Sequence, residues 1–193
     1  MKIAIIDYGA GNIKSLQFAI QRLGYESVLT NQASILRASD KVIFPGVGEA
    51  SSAMDKLMHT GLHEVIPTLT QPVLGICLGM QLLCSFSEEG ETKGLGVFDV
   101  AVRRFSNGLK VPQMGWNTIA NLKTPLFQSV EEQSFMYLVH SYYAPLCAHT
   151  IATTAYGIPY STALQKDNFY GVQFHPEKSS KDGQQVLKNF IEL

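Results

Sequence analysis

Four short apolar runs in the first 80 residues alternate with helical patterns, and this order limits the folds open to the chain. The runs cover residues 2–7, 25–29, 41–44 and 73–76. After the first run, apolar residues at positions 13, 16, 20 and 23 form one stripe at helical spacing. Parallel strands need a long connection, which a helix supplies. The sequence therefore predicts an α/β fold with an open, mostly parallel central sheet and flanking helices.

From about residue 90 the pattern changes to β-rich runs. These runs cover residues 97–105, 116–120, 134–139, 150–156 and 169–174, and a helical stretch over 180–191 follows them. The chain has no low-complexity linker, no block of like charges and no internal repeat. We therefore expect the additional strands of the second half to extend the same sheet, and residues 1–193 to form a single domain.

Charge and cysteine content exclude several classes of function. The net charge is -1, so no long-range field attracts nucleic acid or an anionic membrane. The longest mostly apolar stretch, residues 72–84, is shorter than the roughly 20 residues that cross a bilayer. Three cysteines without a C-x-x-C spacing argue against a disulfide framework and a structural zinc site. We expect a cytoplasmic protein.

The sharpest local pattern is G-I-C-L-G at residues 75–79, between an apolar run and a helical stretch over 80–86. It has the form of a nucleophile elbow, in which the chain turns abruptly from strand to helix with Cys77 at the tip. The helix N-terminus stabilises a thiolate there, and the free N–H of Leu78 faces the position of a tetrahedral oxyanion. The pattern therefore predicts a nucleophilic cysteine.

A nucleophile of this kind needs a base, and the base needs a group that orients it. In an extended segment, residues i and i+2 point to the same side, roughly 6.6 Å apart at Cα. The Glu177 carboxylate can therefore reach the imidazole of His175. This pair follows an apolar run, as Cys77 does, and sites in open α/β sheets gather at the carboxyl ends of the strands. We expect the three residues to meet there.

No pattern in the chain predicts a metal or a cofactor. His59 and His63 are four residues apart, but no H-E-x-x-H motif accompanies them. The Gly9-Ala10-Gly11 turn lacks the third glycine and the downstream acid of a dinucleotide fingerprint, and the chain has no P-loop motif. We expect no cofactor and no metal.

Taken together, these residues resemble the triad-type (class-I) glutamine amidotransferases, whose elbow reads G-x-C-x-G and whose His-x-Glu pair follows near the C-terminus. The likeness is greatest to the branch that serves histidine biosynthesis, the glutaminase subunits of imidazole glycerol phosphate synthase. Six segments along the whole chain carry it: DYGAGN at 7–12, PGVG at 45–48, GICLGMQLL at 75–83, PQMGWN at 112–117, HSY at 140–142 and HPEKS at 175–179. Gln113 departs from the histidine that this family also shows there.

The resemblance implies a flavodoxin-like α/β fold and a Cys77–His175–Glu177 triad that hydrolyses L-glutamine to L-glutamate and ammonia through a cysteine thioester. By the same resemblance, backbone N–H groups of Val47 and Leu78 form the oxyanion hole. Five residues are implied to bind glutamine: Gly48, Gln81, Glu89, Ser141 and Tyr142.

The resemblance also implies a partner, because ammonia released without an acceptor would waste glutamine. The implied partner is the (β/α)8 cyclase subunit of the synthase, in a heterodimer, with Asn12, Trp116 and Lys178 facing it. The resemblance assigns the chain to the hydrolases and, through its pathway, to the lyases. Since glycines at 46 and 48 permit a peptide to flip, we expect the 45–48 segment to be held unproductively until that partner binds its acceptor.

Two alternatives remain at this point. A glutaminase of the same family could feed another acceptor, such as a surface-polysaccharide sugar that is aminated. A flavodoxin-like binding module, or a cysteine hydrolase with another substrate, would use the elbow differently or only as a tight turn.

Overall fold

The computed structural model describes residues 1–105 and 108–193. Helices in these residues are α1 (Ile13–Arg22), α2 (Ala33–Arg37), α3 (Ala50–His59), α4 (Leu62–Val65), α5 (Leu78–Leu83) and α6 (Ser180–Glu192). Strands are β1 (Ile3–Ile6), β2 (Ser27–Thr30), β3 (Lys41–Phe44), β4 (Val73–Ile76), β5 (Cys84–Ser87), β6 (Thr92–Lys93), β7 (Phe98–Arg104), β8 (Gln113–Thr118), β9 (Phe135–His140), β10 (Tyr142–Tyr143), β11 (Thr150–Tyr156), β12 (Ile158–Lys166) and β13 (Phe169–Val172).

The central sheet confirms the predicted α/β architecture. Its seven strands run in the order β11-β12-β13-β4-β3-β1-β2. The five strands from β13 to β2 pair in parallel, and only β12 runs in the opposite direction, because it pairs antiparallel with both β11 and β13. Strands β1, β3, β4 and β13 are buried along their whole length, because helices cover both faces of a parallel sheet.

Helices pack on both faces of this sheet and leave its strand ends open. Along β1, Ala4 and Ile6 pack with α3, whereas Ile3 and Ile5 pack with α1 and α6. This alternation follows from the pleat, which points successive side chains to opposite faces. The carboxyl ends of β1, β3, β4 and β13 therefore form one accessible edge. No helix in the described ranges is long and apolar enough to span a membrane.

The second half only partly extends the central sheet. Strands β11, β12 and β13 join it, but β7 pairs with β5 and β10 in a separate sheet and β8 pairs with β9 in another. Strand β12 was not predicted from the sequence. Its interior is buried without interruption although it contains Ser161 and Thr162, so polar and apolar residues do not alternate. The expected helix over 80–86 ends at Leu83, where β5 begins and pairs with β7.

Candidate active site

Two chemically reactive side chains follow adjacent strands of the central sheet. Strands β4 and β13 are parallel neighbours, with Ile76 opposite Val172. Cys77 follows β4 directly, and its N–H donates to the carbonyl of Val172 at 2.8 Å. His175 lies three residues past Val172. The two residues therefore meet at the carboxyl edge of the sheet, as the sequence predicts.

The chain at Cys77 has the geometry of a nucleophile elbow. Cys77 has φ 54° and ψ −111°, a conformation that L-residues rarely adopt. A Cβ at Gly75 would lie 2.8 Å from the backbone nitrogen of Met80, and a Cβ at Gly79 would collide with the carbonyl oxygen of Phe44. Glycine at both positions thus permits the close packing that places the buried cysteine at the tip of the turn.

His175 and Glu177 form a buried pair beside the elbow. The Nδ1 atom of His175 is 2.9 Å from Oε1 of Glu177, and the two side chains are 2% and 3% exposed. His175 itself is extended, but residues Pro176–Lys178 form a 3-10 turn instead of the predicted extended segment. The turn still brings the carboxylate back to the ring. Nε2 of His175 has no oxygen or nitrogen partner in the described residues, which leaves it for Cys77.

The environment of His175 favours its charged form. Burial lowers the pKa of the imidazole, but hydrogen bonding and attraction from Cys77 and Glu177 outweigh burial and raise that pKa to about 10. An imidazolium flanked by a carboxylate and a cysteine can stabilise a thiolate and later donate its proton. The arrangement can therefore supply a nucleophile, an acid–base group and an orienting group.

We predict a pH dependence of stability from this pair. The pKa of His175 is raised from 6.5 in the unfolded chain to about 10, so the folded state binds this proton more tightly. Its contribution to the free energy of unfolding is complete below about pH 6.5 and is lost as the pH rises to about 10. Urea unfolding of the wild type and of His175→Gln at pH 6, 8 and 10 measures it. The wild-type advantage should shrink with pH; an advantage that is constant or grows contradicts the prediction.

A cavity of about 280 Å³ opens in front of Cys77 and His175. The five residues expected to bind glutamine all line it: Gly48, Gln81, Glu89, Ser141 and Tyr142. Its remaining wall includes Val47, Val139 and His140. The structure thus brings the expected substrate residues to one concave site, with a size suited to a small polar molecule.

Two amide side chains link this cavity to the sulfur of Cys77. Gln81 donates from Nε2 to the Tyr142 carbonyl at 2.9 Å and to Oε1 of Gln173 at 2.8 Å. Gln173 in turn directs Nε2 to Sγ of Cys77 at 3.7 Å. Gln173 was not predicted, although its position directly after β13 and two residues before His175 was a usable signal.

Glu89 joins the cavity to the start of α3. Its Oε2 accepts a hydrogen bond from the N–H of Ala50 at 2.9 Å. Burial raises the pKa of the Glu89 carboxyl, the Ala50 N–H opposes this shift, and Glu49 adds to it. The carboxylate is anchored by backbone and still borders the cavity, where it can meet a substrate ammonium group.

The two expected oxyanion donors do not converge in this conformation. The N–H of Leu78 donates to the carbonyl oxygen of Gly46 at 3.4 Å. Because a trans peptide is planar, the N–H of Val47 in the same Gly46–Val47 peptide points away from Leu78. The carbonyl of Gly46 thus takes up the N–H of Leu78 that was expected to hold an oxyanion, and we call this arrangement of the 45–48 segment closed.

Two of the residues expected to face a partner form an exposed cluster. Trp116 is 52% exposed and packs edge-on against Tyr137, with ring centroids 6.1 Å apart. The ammonium group of Lys178 lies 5.8 Å from the centre of the same Tyr137 ring. Asn12 instead borders a cavity of about 10 Å³ that His175 and Glu177 also line. Tyr137 was not predicted.

Comparison with known proteins identifies the family. The family model described as glutamine amidotransferase class-I matches residues 4–193. This chain belongs to the class-I glutamine amidotransferases. The amidotransferase is 55% identical, over the full length of both chains, to the imidazole glycerol phosphate synthase subunit HisH of Bacteroides thetaiotaomicron. It is 46% identical to the protein of that name from Yersinia pestis, also over both full lengths.

Solved structures agree on the fold of this amidotransferase. A putative GMP synthase protein from Thermoplasma acidophilum superposes with a TM-score of 0.76 at 21% identity, covering 100% of this chain and 92% of that chain. PurLQS from Thermotoga maritima superposes with a TM-score of 0.73 at 18% identity, covering 99% and 97%.

These comparisons confirm the resemblance recognised in the sequence and the enzyme class. The alternative of a flavodoxin-like module without enzyme chemistry does not hold for a class-I glutamine amidotransferase. The lyase assignment is wrong for this chain, because the matched family transfers amide nitrogen.

Proposed function

We propose that this amidotransferase is the glutaminase subunit of imidazole glycerol phosphate synthase and releases ammonia from L-glutamine for histidine biosynthesis. The observation that carries the proposal is the 46–55% identity, over full length, with subunits of that enzyme. The adjacent strand ends with Cys77 and the His175–Glu177 pair support the chemistry.

In the proposed reaction, Cys77 is the nucleophile. Its thiolate sulfur bonds to the side-chain carbonyl carbon of glutamine, and His175 donates its proton to the departing nitrogen, so ammonia leaves and a thioester remains. Water then attacks the thioester while His175 takes a proton from it. The carbon–sulfur bond breaks, glutamate leaves, and the thiolate and imidazolium are restored. Glu177 orients the ring throughout.

We propose that Gly48, Gln81, Glu89, Ser141 and Tyr142 hold the glutamine. Glu89 offers a carboxylate to the α-ammonium group, since within the described residues the hydrogen bond of this carboxylate is to the backbone N–H of Ala50. Asn12, Trp116 and Lys178 are proposed to meet the cyclase (barrel) subunit in a heterodimer. We further propose that residues 1–193 act as one domain. We also propose that the heterodimer works in the cytoplasm, in keeping with the free cysteines Cys77, Cys84 and Cys147.

The closed 45–48 segment leads to a prediction about the partner. Rotation of the Gly46–Val47 peptide would free the N–H of Leu78 and turn the N–H of Val47 toward the same point. One oxyanion donor is worth about 2.7–4 kcal/mol in the transition state. We therefore expect glutamate release by the isolated chain to rise at least about 100-fold when the cyclase and its acceptor are bound. Equal rates with and without the partner contradict this switch.

The test of the proposed function is glutamate release by the purified chain with and without the cyclase from the same source. Stimulation by the cyclase, together with formation of imidazole glycerol phosphate from glutamine, supports the proposal. If the cyclase does not change the rate of glutamate release, the ammonia is used by another acceptor, such as a surface-polysaccharide sugar.

A further inference from the structure

Tyr8 is a buried tyrosine at the catalytic edge of the sheet that the reaction above does not use. It follows β1 and is 4% exposed. Its ring packs edge-on against Phe44, the last residue of the neighbouring strand β3, with centroids 5.5 Å apart. The side chain thus extends from the end of β1 to the end of β3, where the 45–48 segment begins.

The hydroxyl of Tyr8 holds the backbone of that segment. It donates a hydrogen bond to the carbonyl oxygen of Pro45 at 2.8 Å. The next carbonyl, that of Gly46, accepts from Leu78 N–H at 3.4 Å. Two consecutive backbone carbonyls therefore accept hydrogen bonds, that of Pro45 from Tyr8 and that of Gly46 from the elbow residue Leu78.

Tyr8 also restricts the space around the peptide that must rotate. A Cβ built on Gly46 would lie 2.8 Å from the Tyr8 hydroxyl and 2.7 Å from the backbone nitrogen of Gly79. Gly46 is thus packed between the tyrosine and the elbow. Burial raises the pKa of Tyr8, and the nearby Cys77 raises it further, so the hydroxyl keeps its proton and remains a donor.

The turn after Tyr8 connects this contact to the proposed partner-facing Asn12. Gly11 has φ +116°, and a Cβ built on it would lie 3.2 Å from Cβ of Pro45. Pro45 is therefore contacted by Tyr8 and by the Gly9–Asn12 turn. A partner that moves Asn12 can displace the residue that Tyr8 holds.

We propose that Tyr8 is a positioning residue that stabilises the closed 45–48 segment, and that its hydrogen bond to Pro45 keeps the resting glutaminase rate low. This inference rests on the proposed function and adds the residue that sets the ratio between resting and activated rates. Loss of the Tyr8 hydroxyl acts on the closed segment and not on Cys77, so the chemical step in the activated complex is unaffected.

The test is Tyr8→Phe, which keeps the ring and removes the donor. One neutral hydrogen bond corresponds to a rate change of about three- to tenfold. Glutamate release by the isolated variant should rise by that factor, while the rate of the complex with cyclase and acceptor stays within about twofold of the wild type. Incorporation of 4-aminophenylalanine at position 8 restores a donor and should lower the resting rate again. The matched control is Tyr25→Phe, whose hydroxyl contacts the surface residue Glu192.

A purely structural role for Tyr8 predicts a different result. In that case the variant loses thermal stability and both rates fall or stay unchanged, which overturns the proposal, as does a variant that is unfolded at the assay temperature. These outcomes test the role of Tyr8 only when the wild-type complex releases glutamate. A wild type without glutaminase activity in any combination rejects the proposed function itself.

Discussion

Cys77→Ala is expected to lower glutamate release by about 10⁴-fold or more, both in the isolated chain and in the complex. Removal of a catalytic nucleophile has an effect of this size, because the remaining acid–base groups have no covalent step to assist. Alanine removes only the sulfur and keeps the backbone at φ 54°, which L-alanine tolerates no worse than cysteine. The melting temperature should therefore stay close to that of the wild type.

The measurement is glutamate formed from glutamine at saturating substrate, with Cys147→Ala as the matched control. Cys147 is a free cysteine that does not line the 280 Å³ cavity, so its replacement should leave the rate unchanged. A Cys77→Ala variant that keeps a tenth of the wild-type rate would show that another group attacks the amide. A second readout is alkylation of the protein by iodoacetamide, which glutamine should slow in the wild type and not in the variant.

His175→Ala is expected to lower glutamate release by about 10²- to 10⁴-fold, the range that one acid–base group contributes. The ring is the proposed acid–base group for Cys77, and its removal would leave the departing ammonia without a proton donor. Loss of the imidazole also leaves Glu177 buried and without its 2.9 Å partner, so some loss of stability should accompany the loss of rate.

Glu177→Gln separates these two effects. The amide keeps the size of the side chain and an oxygen acceptor for Nδ1 but removes the charge that helps to raise the pKa of His175. Its rate should fall less than that of His175→Ala, and its pH–rate profile should shift to lower pH. His59→Ala, at an exposed position in α3, is the control and should change neither the rate nor the pH–rate profile. A His175→Ala variant within tenfold of the wild-type rate contradicts the proposed role.

Much of the site was predictable because its main signals are local. Strands β3 and β4 have the predicted bounds, since both are short apolar runs that end at a turn. The glycines around Cys77 and the two-residue spacing of His175 and Glu177 also act within a few residues. Strand β12 was not predictable in this way, because Ser161 and Thr162 are buried by neighbouring strands instead of facing solvent.

The sequence by itself determined the α/β architecture, the elbow at Cys77 and the pairing of His175 with Glu177, because apolar periodicity, glycine positions and residue spacing are properties of short segments. Only the tertiary structure decided the state of the site. The contacts of Tyr8 with Pro45 and of Gln173 with Cys77 join residues 37 and 96 positions apart, as strand order brings distant segments together. The carbonyl of Gly46 accepts the N–H of Leu78 because neighbouring segments pack around it. The orientation of a peptide at a glycine depends on these neighbours and not on the glycine alone.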